Sequence, residues 1–160
     1  TWYLARLTGH LLAAVLLAVA AALPLAPLTA AGDLAIWAVS LACELALVGA
    51  LALACATSLG QVATAFAAVA GFYTLGRVLA ASLLMSQGAT VDPTQPVNRA
   101  IAWGLTALAH LLPDFSRYTQ SGWLIYGAAA ADLTPVAAQS LIYIALLAAL
   151  GLVDFERRNL

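Results

Sequence analysis

Two apolar segments, residues 34–59 and 62–85, are separated by nothing but Gly60-Gln61. Each exceeds the roughly 20 residues that a helix needs to cross a hydrocarbon core of about 30 Å. A two-residue joint leaves no room for a soluble domain, so the pair predicts a transmembrane helical hairpin. Each arm carries one charged residue in otherwise apolar sequence, Glu44 in the first and Arg77 in the second. The other segments can be oriented relative to this hairpin.

Composition removes the soluble alternatives. The 160 residues are 64% hydrophobic and 8% charged, whereas a soluble domain is about a quarter charged. A soluble core of this size could not hide so much apolar surface and keep a wettable exterior. Lysine is absent and the net charge is −1, so there is no basic stripe for nucleic acid. The fold class read from this is all-α integral membrane, a single transmembrane domain over 1–160. It has four transmembrane helices plus one short external interfacial or re-entrant helix.

The first span is read over 3–26, with Arg6 near its start, able to snorkel to the interface. His10, one turn later on the same face, reads as an interfacial or helix-packing histidine. Pro24 and Pro27 end or kink the span. Asp33 is placed as the N-cap of the second helix. That helix carries small residues at four-residue spacing, Ala42, Ala46, Ala50 and Ala54. The third repeats the pattern with Ala63, Ala67 and Gly71. Such stripes let backbones approach closely in lipid, where packing drives association. Cys43 and Cys55 lie twelve positions apart on one helix, about 18 Å, too far to bridge each other. They read as small packing residues. The chain opens Thr1-Trp2-Tyr3 straight into an apolar run. With no basic leader and cleavage site before it, an incomplete chain is expected rather than a signal peptide.

Residues 87–98 are polar, hold Pro93 and Pro96, and read as a loop. Residues 99–112 are too few to span but put Ile101, Leu105, Leu108 and Leu112 on one stripe, flanked by Trp103 and His110. That fits an interfacial or re-entrant helix, with a water-facing amphipathic helix as the alternative. Pro113 ends it. Residues 114–132 mix Tyr118, Trp123 and Tyr126 with polar residues, as in a membrane-interface belt. The fourth span is placed at 136–153, with Thr134 as N-cap and Pro135 as first helical residue.

Arg6, Arg157 and Arg158 flank the spans at the two ends of the chain. An even number of spans puts both ends on one side, so these three agree on a cytoplasmic location. Gly60-Gln61 is then cytoplasmic and 87–135 external, although Arg99 and Arg117 fall outside. On this topology Glu44 is about 15 Å deep and Arg77 about 12 Å. An unpaired charge there costs at least about 2.5 kcal/mol, so pairing is the leading expectation. The pair either fixes the hairpin or lines a polar path; otherwise Arg77 snorkels outward and they never meet.

The sequence has no closely spaced His, Cys or carboxylate cluster for a metal. It has no serine-hydrolase elbow and no phosphate-binding loop. No catalytic residue is assigned, and a passage, a scaffold or a sensor remains.

The order of parts resembles the C-terminal two-thirds of the membrane subunits of bacterial ATP-binding cassette transporters of the type-2 exporter class. Four features carry the likeness. The entry Thr1-Trp2-Tyr3-Leu4-Ala5-Arg6 is similar to the start of that family's third helix. The tight hairpin resembles its fourth and fifth helices. A short external helix followed by Leu111-Leu112-Pro113-Asp114-Phe115-Ser116-Arg117-Tyr118 precedes the last span. The ending Phe155-Glu156-Arg157-Arg158-Asn159-Leu160 is similar to the family's closing motif and is the most specific of the four.

The resemblance implies a permease subunit of an ATP-driven exporter in the bacterial cytoplasmic (inner) membrane. A second permease subunit, identical or not, would pair with it in the bilayer. ATP and Mg would bind in a separate nucleotide-binding ATPase subunit, with no cofactor or metal in this chain. Two upstream spans and the coupling helix of a complete subunit are missing from this sequence. Arg6, Gln61, Arg157 and Arg158 are the candidate cytoplasmic interface residues. Trp103, His110, Tyr118 and Trp123 are the candidate external gate residues. The alternative is a non-transporting helical subunit that anchors or assembles a larger membrane complex. The pairing of Glu44 with Arg77 has its own test. Exchanging both (Glu44→Arg with Arg77→Glu) should restore the folded yield that either single exchange lowers. A double exchange no better than the singles would dismiss the pair.

Overall fold

The computed structural model describes residues 2–86 and 95–158, and among these it contains helices and no strand. The helices are α1 (Trp2–Ala22), α2 (Ala31–Leu59), α3 (Val62–Ser86), α4 (Pro96–Leu111), α5 (Gly122–Tyr126) and α6 (Ala130–Arg158). Short 3-10 turns cover Leu23–Leu25 and Phe115–Arg117. Four segments are long and apolar enough to cross a membrane: Trp2–Leu25, Ala31–Leu59, Val62–Leu79 and Ala130–Phe155. The chain is an all-α integral membrane protein with four spans. Of the loop expected over 87–98, residues 87–94 lie outside the described residues.

The α2–α3 joint is as short as the sequence requires. Gly60 ends α2 with φ +66°, a left-handed value that glycine adopts at little cost. The Gln61 carbonyl then starts α3 by accepting from the Ala65 amide at 3.1 Å and the Thr64 hydroxyl at 2.9 Å.

Three helix starts differ from the sequence reading, each for a local reason. The N-cap of α2 is Ala30, with extended backbone and no side-chain cap. Asp33 therefore sits inside the first turn, where its carboxylate accepts from the Ala128 amide at 3.0 Å. Pro96 is not in a loop but occupies the first turn of α4, where its missing N–H is no loss. In α6 the Asp132 carboxylate reaches back to the Ala129 amide at 3.0 Å, a capping-box contact. That contact starts the helix at Ala130, so Thr134 is no cap and Pro135 lies within the helix.

The chain divides into two compact units, Thr1–Val69 with Arg117–Leu160, and Ala70–Ser116. In the first, α2 is central and α1 and α6 pack against it. Ala46, Ala50 and Ala54 of its expected stripe are buried, as are Ala14, Ala18 and Ala22 of α1. On α3 the expected stripe fails: Ala63, Ala67 and Gly71 are exposed, whereas Ala65, Gly76 and Leu79 are buried.

One end of this unit is locked by Tyr3, which packs with Leu7, Ala50 and Leu53. Its hydroxyl donates to the Leu147 carbonyl at 3.4 Å. A Cβ on Gly151 would collide with that phenol, so glycine is needed there for close approach rather than for its φ. Next to it, Trp2 and Phe155 stack with centroids 5.6 Å apart, and the Arg6 guanidinium sits 4.2 Å over the Trp2 ring. Aromatic pairs are worth about 0.5–1.5 kcal/mol beyond burial. The beginning of α1 and the end of α6 thus lie together, as an even number of spans requires.

In the second unit the chain after α4 turns at Leu112, whose extended backbone (ψ 148°) suits the residue before a proline. Phe115 then lies on α3, edge-on to Phe72 at 6.3 Å and 5.2 Å from Tyr73. Gly76 makes room for it, since a Cβ there would meet both the Phe115 ring and the Pro113 carbonyl. On α4, Val97, Ile101, Trp103 and Leu108 are exposed.

Candidate functional site

The polar centre of the first unit is built on one face of α2. Ser40 and Glu44 are four residues apart, hence neighbours on a helix surface, and both are buried; Glu44 is only 3% exposed. Glu44 stands 13 residues past Ala31, about 20 Å along the axis, deeper than a start at residue 34 implied. This is the middle of a 29-residue helix, the costliest depth for an ionisable group.

Residues 117–121 meet these side chains. The Thr119 amide donates to Ser40 Oγ at 3.1 Å, and the Thr119 hydroxyl donates to Glu44 Oε2 at 2.8 Å. Thr119 has φ +46°, the one non-glycine residue with positive φ among those described. For a β-branched residue that conformation is a true outlier, costing of order 1–3 kcal/mol. It presents amide and hydroxyl to the same face of α2 at once.

Tyr118 secures the segment on the other side. The Ser140 hydroxyl donates to the Val136 carbonyl at 2.8 Å, which leaves its oxygen to accept from the Tyr118 hydroxyl at 2.9 Å. Tyr118 is fully buried and Trp123 nearly so, while Tyr126 is 89% exposed. Of the three expected belt residues, only Tyr126 is exposed. Tyr118 departs from that expectation because its hydroxyl finds a partner inside the bundle, 10 residues into α6. Tyr118 and Thr119 thus tie a non-helical stretch to α6 on one side and to α2 on the other, while Gln120 and Ser121 after them are exposed.

The remaining sequence candidates are dispersed. Arg77 belongs to the second unit, where its Nε donates to the Tyr73 hydroxyl at 3.3 Å and its guanidinium lies 5.8 Å from that ring. Arg6 is exposed beside Trp2, and Gln61 is exposed at the α2–α3 joint. Arg157 and Arg158 are in the last turn of α6 and His110 is in α4; their side chains lie outside the described residues. Trp103 is 76% exposed on α4. His10 accepts or donates locally, its Nδ1 2.8 Å from the Arg6 carbonyl, and its ring packs beside Gly49.

Sequence reasoning missed Ser40, Thr119 and Ser140. Ser40 had a signal, since it lies one turn before Glu44 in an apolar helix. Among the described residues no group of three His, Cys, Asp or Glu side chains gathers to hold a metal ion. No family model, curated protein or solved structure matches this chain.

The two Thr119 contacts should differ in weight. Ser40→Ala removes the acceptor of the Thr119 amide, and an unmet amide at membrane depth costs several kcal/mol. Thr119→Val, of equal shape, loses one side-chain bond worth about 0.6 kcal/mol on average between helices in membranes. Thermal unfolding in detergent should show Ser40→Ala as clearly the less stable variant. Equal stabilities would mean that Ser40 does not hold the segment.

Proposed function

We propose that this chain is the membrane-spanning permease part of an ATP-driven exporter of the ATP-binding cassette class. The observation that carries the reading is the buried Glu44, at mid-span, met by a non-helical segment. Irregular backbone at membrane depth is tolerated where protein buries it or where it lines a cavity, and transporter binding sites are built in this way. An intramembrane carboxylate is by default a marker of a substrate or ion path. The ending Phe155-Glu156-Arg157-Arg158 and the tight hairpin, both similar to the type-2 exporter subunits, supply the class.

On this reading ATP and Mg bind in a partner ATPase subunit and a second permease subunit completes the path. This chain carries out no hydrolysis itself. The Arg6, Gln61 and Arg158 end faces the cytoplasm of a bacterial cell, in the inner membrane. Helices rock between two packings, and the external helix bearing Trp103 helps to close the outer side. The pairing of the ends of α1 and α6 supports placing Arg6 and Arg157 on one side.

The test is co-purification of the full chain from mild detergent, followed by reconstitution. A stoichiometric nucleotide-binding ATPase should accompany it, with a hydrolysis rate that changes when this chain is present. Glu44→Gln should keep the ATPase bound and blunt that change. Recovery with another membrane complex and no ATPase would overturn the reading in favour of an anchoring subunit.

A further inference from the structure

Away from the Tyr3 end, α1 and α6 are separated by a groove whose floor is α2, a cavity of about 420 Å³. It is lined by residues 11–19 of α1, 38–46 of α2 and 137–144 of α6. All the lining side chains are apolar except Cys43 and Ser140, and the Ser140 hydroxyl is already engaged by Val136 and Tyr118. The groove therefore asks nothing of an occupant by way of hydrogen bonds. Val15, Val19 and Leu141 at its mouth are each more than half exposed, so it opens sideways into the bilayer.

Its length and its closed end select the occupant. Eight residues of α1 or of α2 amount to about 12 Å. At the inner end, Leu11 and Ile144 close onto the Tyr3 cluster, and beyond it Tyr3 fills the space over Gly151. A partner's spanning helix needs about 30 Å of uninterrupted side and would be turned out where α1 and α6 meet. One leaflet's hydrocarbon is about 15 Å deep, half of the whole core. The groove matches that depth, from the α2 N-terminal end toward mid-membrane.

We infer that this groove is a binding site for one acyl chain of a lipid in the leaflet at the α2 N-terminal end. The tail lies on Ala42 and Ala46 with its methyl end toward Leu11 and Ile144. The site follows from the chain's spanning a membrane and does not depend on the permease reading.

The test uses the full chain in phosphatidylcholine vesicles containing a phosphatidylcholine with a diazirine in its acyl chain. After photolysis, mass spectrometry locates the adducts. Groove residues such as Ala42 and Leu141 should be labelled several-fold more than Leu12 and Leu16, which are exposed on α1 outside the groove. Ala42→Phe, which fills the floor, should bring groove labelling down to the Leu12 and Leu16 level. Leu141→Trp narrows the mouth from an exposed position, leaves the packed helices untouched, and should do the same. Groove labelling no higher than at Leu12 and Leu16 would overturn the site. Labelling well below that level, as when a second copy or another protein covers the groove, would overturn it too.

Discussion

A backbone amide in hydrocarbon has no water to fall back on, and each one left without a partner costs several kcal/mol. The long helices meet that demand internally. Tyr118 and Thr119 lie outside any helix, and side chains stand in for the missing ladder. Ser40 takes the Thr119 amide, and Glu44 takes its hydroxyl. A fully apolar α2 could not receive this segment. The polar residues of the central helix and the irregular segment therefore support each other.

The rest of the first unit gives α2 the rigidity to serve as that support. Small residues on α1 and α2 bring the two helices close, and Tyr3 over Gly151 joins α1 to α6 at one end. At the other end Asp33 holds the Ala128 amide, tying the stretch after α5 to the start of α2. The Thr119 contacts are thus followed within ten residues by a second anchor on the same helix. Between these fixed points, α1 and α6 part and expose the side of α2 to lipid.

Much of this was legible in the sequence, and the failures have physical causes. The two-residue joint between α2 and α3, the four spans and the singular position of Glu44 follow from length and hydropathy, since the bilayer leaves few choices. The starts of α2 and α6 were misplaced because Asp33 and Asp132 resemble simple caps. The first is committed to Ala128 and the second acts backward on Ala129. The stripe of α2 packs but that of α3 does not, because alanine spacing alone names no neighbour. Tyr118 was read as an interfacial residue because tyrosines near span ends usually are. The Ser140 hydroxyl and the Val136 carbonyl, 22 and 18 residues away in sequence, supply partners for its buried hydroxyl.

The central claim is that Thr119, beside the buried Tyr118, lies against α2 at the level of Glu44. With Cys43 and Cys55 replaced by alanine, single cysteines at Thr119 and Tyr126 can be challenged with a membrane-impermeant maleimide from either side of sealed vesicles. The account predicts that Tyr126→Cys reacts readily while Thr119→Cys stays protected until the protein is denatured. If Thr119→Cys reacts as fast as Tyr126→Cys, the segment lies outside the bundle and the polar centre described here does not exist.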